Sequence, residues 1–118
     1  MSLTAICRGG GVIAIASDGT NLYIGLKGKV RQVVIATGVK TTLASVHPAE
    51  ITAMASDGTT YLYVGDNRGQ LNRVTISGGA VTLMEKNVGA AIVAIFLKTA
   101  TLYMVLSNGR LASRSATP

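Results

Sequence analysis

Few groups in this chain could carry covalent or metal chemistry: one histidine, one cysteine and five carboxylates among 118 residues. His47 and Cys7 lie far apart in the chain, and Asp18, Glu50, Asp57, Asp66 and Glu85 fall in different segments. A metal centre needs three or four converging ligands, and a nucleophile needs a base and a group to orient it. Asp18 and Asp57 each stand in Ser-Asp-Gly-Thr, where a short acceptor side chain and a glycine free to take positive φ close a hairpin. That role accounts for both acids without catalysis. His47 precedes Pro48 and is expected as a polar loop residue. Two copies of His47 with Glu50 could meet only if two chains shared a narrow channel mouth, and such a set would need nearly every member to converge. The expectation is therefore no catalytic residue, no metal site and no cofactor. Cys7 has no intrachain partner for a disulfide and is expected as a small buried hydrophobe.

The cations are more numerous. Eleven Lys/Arg against five Asp/Glu leave a net charge of +6, which makes an acidic partner worth considering after solubility has been served. What these charges can do depends on the elements that carry them.

Those elements repeat. Leu22-Tyr23, Leu62-Tyr63 and Leu102-Tyr103 are spaced forty residues apart, and Gly28, Gly69 and Gly109 follow at nearly constant offset. A period near forty with several strand-like runs per period is the mark of a β-propeller or a related array. The apolar runs Val12 to Ala16, Ile51 to Ala55 and Ile92 to Phe96 lack alternation, which implies burial on both faces. Next come strands Asn21 to Gly25, Thr60 to Gly65 and Thr101 to Leu106, whose tyrosines are expected to anchor the core. Loops at Lys27 to Lys29, Asn67 to Gly69 and Ser107 to Gly109 lead to strands Val30 to Ala36, Leu71 to Ser77 and Leu111 to Ser115. Outermost strands over Lys40 to Val46 and Ala80 to Val88 follow only the first two copies. All four tyrosines and the one phenylalanine fall in strands, so no exposed aromatic platform is expected.

The fold class expected is all-β: a propeller of three four-stranded blades per chain. Residues 1–118 form one repeat domain, with an outer strand over 3–11, blade 1 over 12–50, blade 2 over 51–91 and an incomplete blade 3 over 92–118. Leu3 to Cys7 is an outer strand without its blade, and the third copy lacks one. Three blades are too few to close, since closed propellers begin at four. Two chains supply six, and in a two-fold homodimer each N-terminal strand would complete the partner's third blade, leaving no edge open; a fragment of a longer propeller and a higher ring are the alternatives. No apolar stretch approaches the ~20 residues that span a bilayer, so no membrane partner is expected. With no leader pattern at its start and no disulfide framework, the chain is expected either to be cytoplasmic, which is slightly favoured, or to have had a leader removed.

The stretches SDGTNLYIG with KVRQVVIATGVKTTLAS, and SDGTTYLYVGDNRGQLNRVTISGGAVTLM, resemble bacterial NHL repeats. Both keep the order of an Asp-Gly-Thr turn, a Leu-Tyr strand, a loop, a strand with a basic residue between apolar ones, and a Thr-Gly or Gly-Gly turn. The likeness is strong from Val12 to about Val88 and weak from Ile92 to Ser115. It implies a scaffold, usually six-bladed, with a ligand-bearing face. Family members include protein binders, RNA binders and a few enzymes, so the fold does not select among these.

In such a ring the loops entering the innermost strands and those between second and third strands share one side. That side would collect Arg8, Lys27, Lys29, Arg68 and Arg110 as a basic ligand-binding face, with His47, Glu50 and Asp66 at the channel mouth. The opposite side holds Asp18 and Asp57 with Lys40 and Lys98. The function expected is a noncatalytic scaffold that binds a protein or another anionic ligand on its basic face. Nucleic acid, RNA above all, is the alternative partner, and an enzyme with its site at the channel mouth comes third.

Overall fold

A computed structural model describes residues 14–17 and 19–116, and these form ten strands in three antiparallel sheets. Sheet I contains β1 (Ala14–Ser17), β2 (Asn21–Gly25), β3 (Lys27–Val34) and the first part of β4 (Lys40–Ser56). Sheet II takes the rest of β4 with β5 (Tyr61–Asp66), β6 (Leu71–Thr75) and β7 (Val81–Glu85). Sheet III holds β8 (Ile92–Lys98), β9 (Thr101–Leu106) and β10 (Leu111–Ser115). Each strand pairs with its sequence neighbour, so every sheet is a meander that needs only short turns. The Leu3 to Cys7 strand, the Arg8 to Gly11 turn and residues 12 and 13 lie outside the described residues.

The second Ser-Asp-Gly-Thr turn forms as its composition requires, with Gly58 at φ of 89°, and Gly19 of the first copy takes a φ of 91°. In the second turn Asp57 Oδ1 accepts hydrogen bonds from the amides of Thr59, Thr60 and Tyr61 at 3.0, 2.8 and 3.0 Å. The third copy has no Asp-Gly, and Thr99 itself takes a φ of 56°.

The expected break between an outer strand ending at Val46 and an inner strand starting at Ile51 is not there. β4 runs unbroken through both, and the His47 backbone belongs to a strand rather than a loop. Pro48 signals an interruption because it has no amide to donate. Here the pairing of β3 with β4 jumps from Lys29↔Ser45 to Lys27↔Glu50, and Pro48 falls within that jump, where no ladder amide is required. Lys27 to Lys29, expected as a loop, is likewise the start of β3.

Packing follows from period-two alternation. Tyr23, Val30 and Ala44 of sheet I cluster with Met54, Leu62, Val64 and Val74 of sheet II. On the opposite face of sheet II, Ala53, Tyr63 and Leu71 cluster with Ile92, Leu102, Met104 and Leu106 of sheet III. Gly65 marks a close approach of the two sheets: a Cβ there would lie 2.7 Å from Ile92 Cγ2. Beside it the Thr52 hydroxyl donates to the Ile92 carbonyl. At the periphery Arg114 bridges the same pair of sheets, with Nη1 2.6 Å from Glu85 Oε1 and 2.9 Å from the Met84 carbonyl.

Two expectations about burial need correction. Tyr23 and Tyr63 are buried, but Tyr103 is only half-buried. Its ring position belongs to the face of sheet III turned away from sheet II, with no described sheet beyond it. For the same reason the first and third innermost runs are not buried on both faces, with Ile15, Val93 and Phe96 52%, 54% and 62% exposed, whereas the middle run is, with Ile51 and Met54 in one core cluster and Ala53 in the other. Phe96 therefore breaks the expectation of no exposed aromatic, although it lies on a sheet face rather than among the loops.

Candidate binding edge

Backbone hydrogen bonds tie the successive turns at one end of the sheets into a continuous edge. Leu26 N donates to Lys29 O at 2.9 Å, closing the tight β2–β3 connection, and Ile51 N donates back to Leu26 O at 3.4 Å. Asn67 N donates to Glu50 O at 3.0 Å, Val88 N to Gly69 O at 2.9 Å, and Ser107 N to Ala91 O at 2.9 Å. The β2–β3, β5–β6, β7–β8 and β9–β10 connections thus share one end with the middle of β4. Gly69, at φ of 85°, permits the close approach: a Cβ there would lie 2.7 Å from the Ala90 carbonyl oxygen.

Lys29, Arg68 and Arg110 are exposed along this edge, with Glu50 as an exposed acid beside them. Lys86 joins them from the β7–β8 connection. It was missed because the outer strand was expected to run to Val88, whereas β7 ends at Glu85; the Asn87–Val88–Gly89 sequence is the signal that could have marked a loop. The two peripheral acids of this end are otherwise engaged. Asp66 is 4% exposed, and its Oδ1 accepts from the amides of Arg68 and Gln70, both at 2.9 Å. It shapes its own turn. Asn108 repeats that role, accepting from Arg110 N at 3.0 Å. Glu85 is held by Arg114.

Arg8 and the side chains of Lys27 and His47 lie outside the described residues, as does Asp18. The opposite end of the sheets carries Asp57, Lys40 and Lys98, all exposed. Burial acts to raise the Asp57 pKa, but the three amide donors together outweigh it and leave that pKa below the ordinary 3.8. Tyr63 moves the other way: burial first and then the charge of Asp57 push its pKa above 10.0, against a lowering by Arg73. Neither group has the neighbours of a catalytic acid or base. Among the described residues no three His, Cys, Asp or Glu side chains gather as metal ligands. The edge can attract anions, and its loops supply both charge and free polar surface.

No protein-family model matches the chain, and no curated protein matches it in sequence. Solved structures do match in shape. The computationally designed Ika8 protein superimposes with a TM-score of 0.75 at 21% identity, over 88% of this chain and 33% of that one. The WD40 β-propeller domain of Doa1 gives 0.77 at 10% identity, over 91% of this chain and 38% of that one. The chain thus spans about a third of the length of these two. The designed Ika4 protein is matched over 92% of both chains, with a TM-score of 0.59 at 14% identity. At these identities the likeness concerns the fold alone, and the three stacked antiparallel sheets are accordingly blades of a β-propeller-like fold.

Proposed function

We propose that this chain is a noncatalytic binding scaffold whose basic edge receives an anionic protein segment, and that it works as a six-bladed, NHL-type ring made by a homodimer. One observation carries the binding part: Lys29, Arg68, Lys86 and Arg110 are exposed along one end of three successive blades, where Glu50 is the one exposed acid among the described residues. The NHL assignment is supported by the order of turn and strand motifs in the first two copies. A dimer is supported by the count of blades, since three fall short of the four at which propellers close, and by the prevalence of two-fold symmetry. In that ring each basic edge residue appears twice around the channel mouth.

Acidic polypeptide is favoured over RNA because the edge lacks aromatic side chains on which bases could stack; Phe96 and the tyrosines all lie in strands. The test uses immobilised polyglutamate and single-stranded RNA as probes, each eluted with a salt gradient. Replacing Lys29, Arg68 and Arg110 with glutamate should abolish retention on polyglutamate, while Lys40→Glu with Lys98→Glu should reduce it far less. Retention that survives the first set and fails with the second would place binding at the wrong end. Preferential retention on RNA would move the assignment to the alternative partner.

A further inference from the structure

The outward face of blade 3 is built to the same plan as two faces that are buried. Leu111 pairs with Val105 as Leu71 pairs with Gly65 and Val30 with Gly25, so Leu111, Leu71 and Val30 are one position in three blades. Val30 and Leu71 are each 0% exposed because a following blade covers them, whereas Leu111 is 68% exposed. Tyr103 stands in the same relation to the buried Tyr23 and Tyr63, and Phe96, its register partner, is open beside it. Val93 and Val105 extend the exposed area. A contiguous apolar face of this kind marks an interaction surface.

What covers the equivalent faces also repeats. Blade 2 presents Leu62, Val64 and Val74 to blade 1, and blade 3 presents Leu102 and Met104 to blade 2. Strand register gives Leu22, Ile24 and Val33 as the same positions in blade 1, and these cluster on its outer face, away from blade 2. We infer that the outer face of blade 3 docks on the outer face of blade 1 of a second copy of this chain, extending the stack with the same leucine, isoleucine and valine set that it uses internally. This rests on the chain being half of a closed ring, and names the surfaces that close it. On blade 1, Ile24 and Val33 are buried in the single chain while Ile15 on the same face is exposed, so the newly buried surface is Ile15 on blade 1 and the exposed apolar residues of blade 3. Two such contacts related by a two-fold axis occupy both end faces and leave none for further growth.

The third interface is not a plain copy of the other two. Gly25 and Gly65 are replaced by Val105, and Ala16 and Ala55 by Phe96. A blade 3 face meeting its own copy would set each of these enlarged residues against another, which favours the outer face of blade 1, where Gly25 and Ala16 are small, as the partner chain's contribution.

Sedimentation of the intact chain should give twice the 12.1 kDa chain mass. Leu111→Glu on blade 3 and Ile15→Glu on blade 1 should each produce monomer with unchanged far-ultraviolet dichroism. Mixing the two variants should restore a dimer through the one remaining intact contact. Leu111→Thr, which keeps a residue suited to an exposed strand, should weaken dimerisation by at least about tenfold if the leucine is buried there. A chain that stays monomeric at all concentrations overturns the inference. So does a dimer lost with Leu111→Glu but untouched by Ile15→Glu, which would mean that blade 3 meets its own copy. The glutamate substitutions on the basic edge should leave the mass unchanged, so assembly and anion binding fail separately.

Discussion

Gly65→Ala tests the packing of blade 2 against blade 3, where three atoms of Ile92 crowd a glycine. The new methyl carbon would sit 2.7 Å from Ile92 Cγ2 and 2.9 Å from both Cβ and Cδ1 of the same residue. Carbon atoms in good contact are about 3.5–4.0 Å apart, so the overlap approaches 1 Å at three atoms. Gly65 lies in β5 without positive φ, and alanine adopts strand geometry without backbone strain. The entire cost should therefore be overlap, and overpacking of this degree costs about 1–3 kcal/mol. Ile92 cannot simply back away, because its carbonyl accepts from Thr52 and its side chain is buried among Leu71, Leu102 and Met104. Ile92→Ala alone should cost about 2–5 kcal/mol for the cavity it leaves. In the double variant the overlaps with Cγ2 and Cδ1 vanish, and the surviving Cβ approach relaxes into vacated space. The summed single costs should then exceed the double by about 1–3 kcal/mol. With no tryptophan in the chain, urea unfolding followed by circular dichroism is the suitable assay. Additive costs, or a Gly65→Ala chain as stable as the parent, would refute the packing account.

Two further outcomes are expected. Tyr63→Ala should cost about 3–5 kcal/mol as the loss of a buried aromatic, whereas Tyr103→Ala in a monomeric background, such as Leu111→Glu, should cost clearly less; urea midpoints compare them. The depressed Asp57 pKa implies a contribution to stability that is complete above 3.8 and is lost as pH falls through the lower folded value. Asp57→Asn should therefore flatten the acid limb of a stability-versus-pH curve, and an unchanged limb would show that the three amide bonds do not hold the carboxylate ionised.

Much of the fold was legible because it depends on local repetition. The Leu-Tyr spacing located β2, β5 and β9, and Asp-Gly fixed the turn at Gly58, since both signals act through neighbours in sequence. The continuity of β4 through Pro48 was not legible: whether a proline interrupts a strand depends on whether its amide would have been needed in a ladder, and that is set by the register of β3. Nor could Leu111 be told from Leu71. Both are leucines at one position of one repeat, and only the presence of a following blade makes one core and the other surface. Along the basic edge the cations Lys29, Arg68 and Arg110 could be placed from loop order alone. Asp66 could not, because an aspartate that accepts two amides of its own turn has the same sequence signature as one facing a ligand.

The unbroken β4 also decides where this chain can be cut. Blades 1 and 2 share one seventeen-residue strand, so an insertion between them must interrupt a strand that runs through both. Blades 2 and 3 are joined instead by the Lys86 to Ala91 connection, whose Lys86, Asn87 and Gly89 are exposed. Nicking, circular permutation or a grafted loop should be tolerated there first. The unit that could be duplicated or exchanged as a cassette is therefore unequal: a fused pair of blades on one side of the seam, and a single blade on the other.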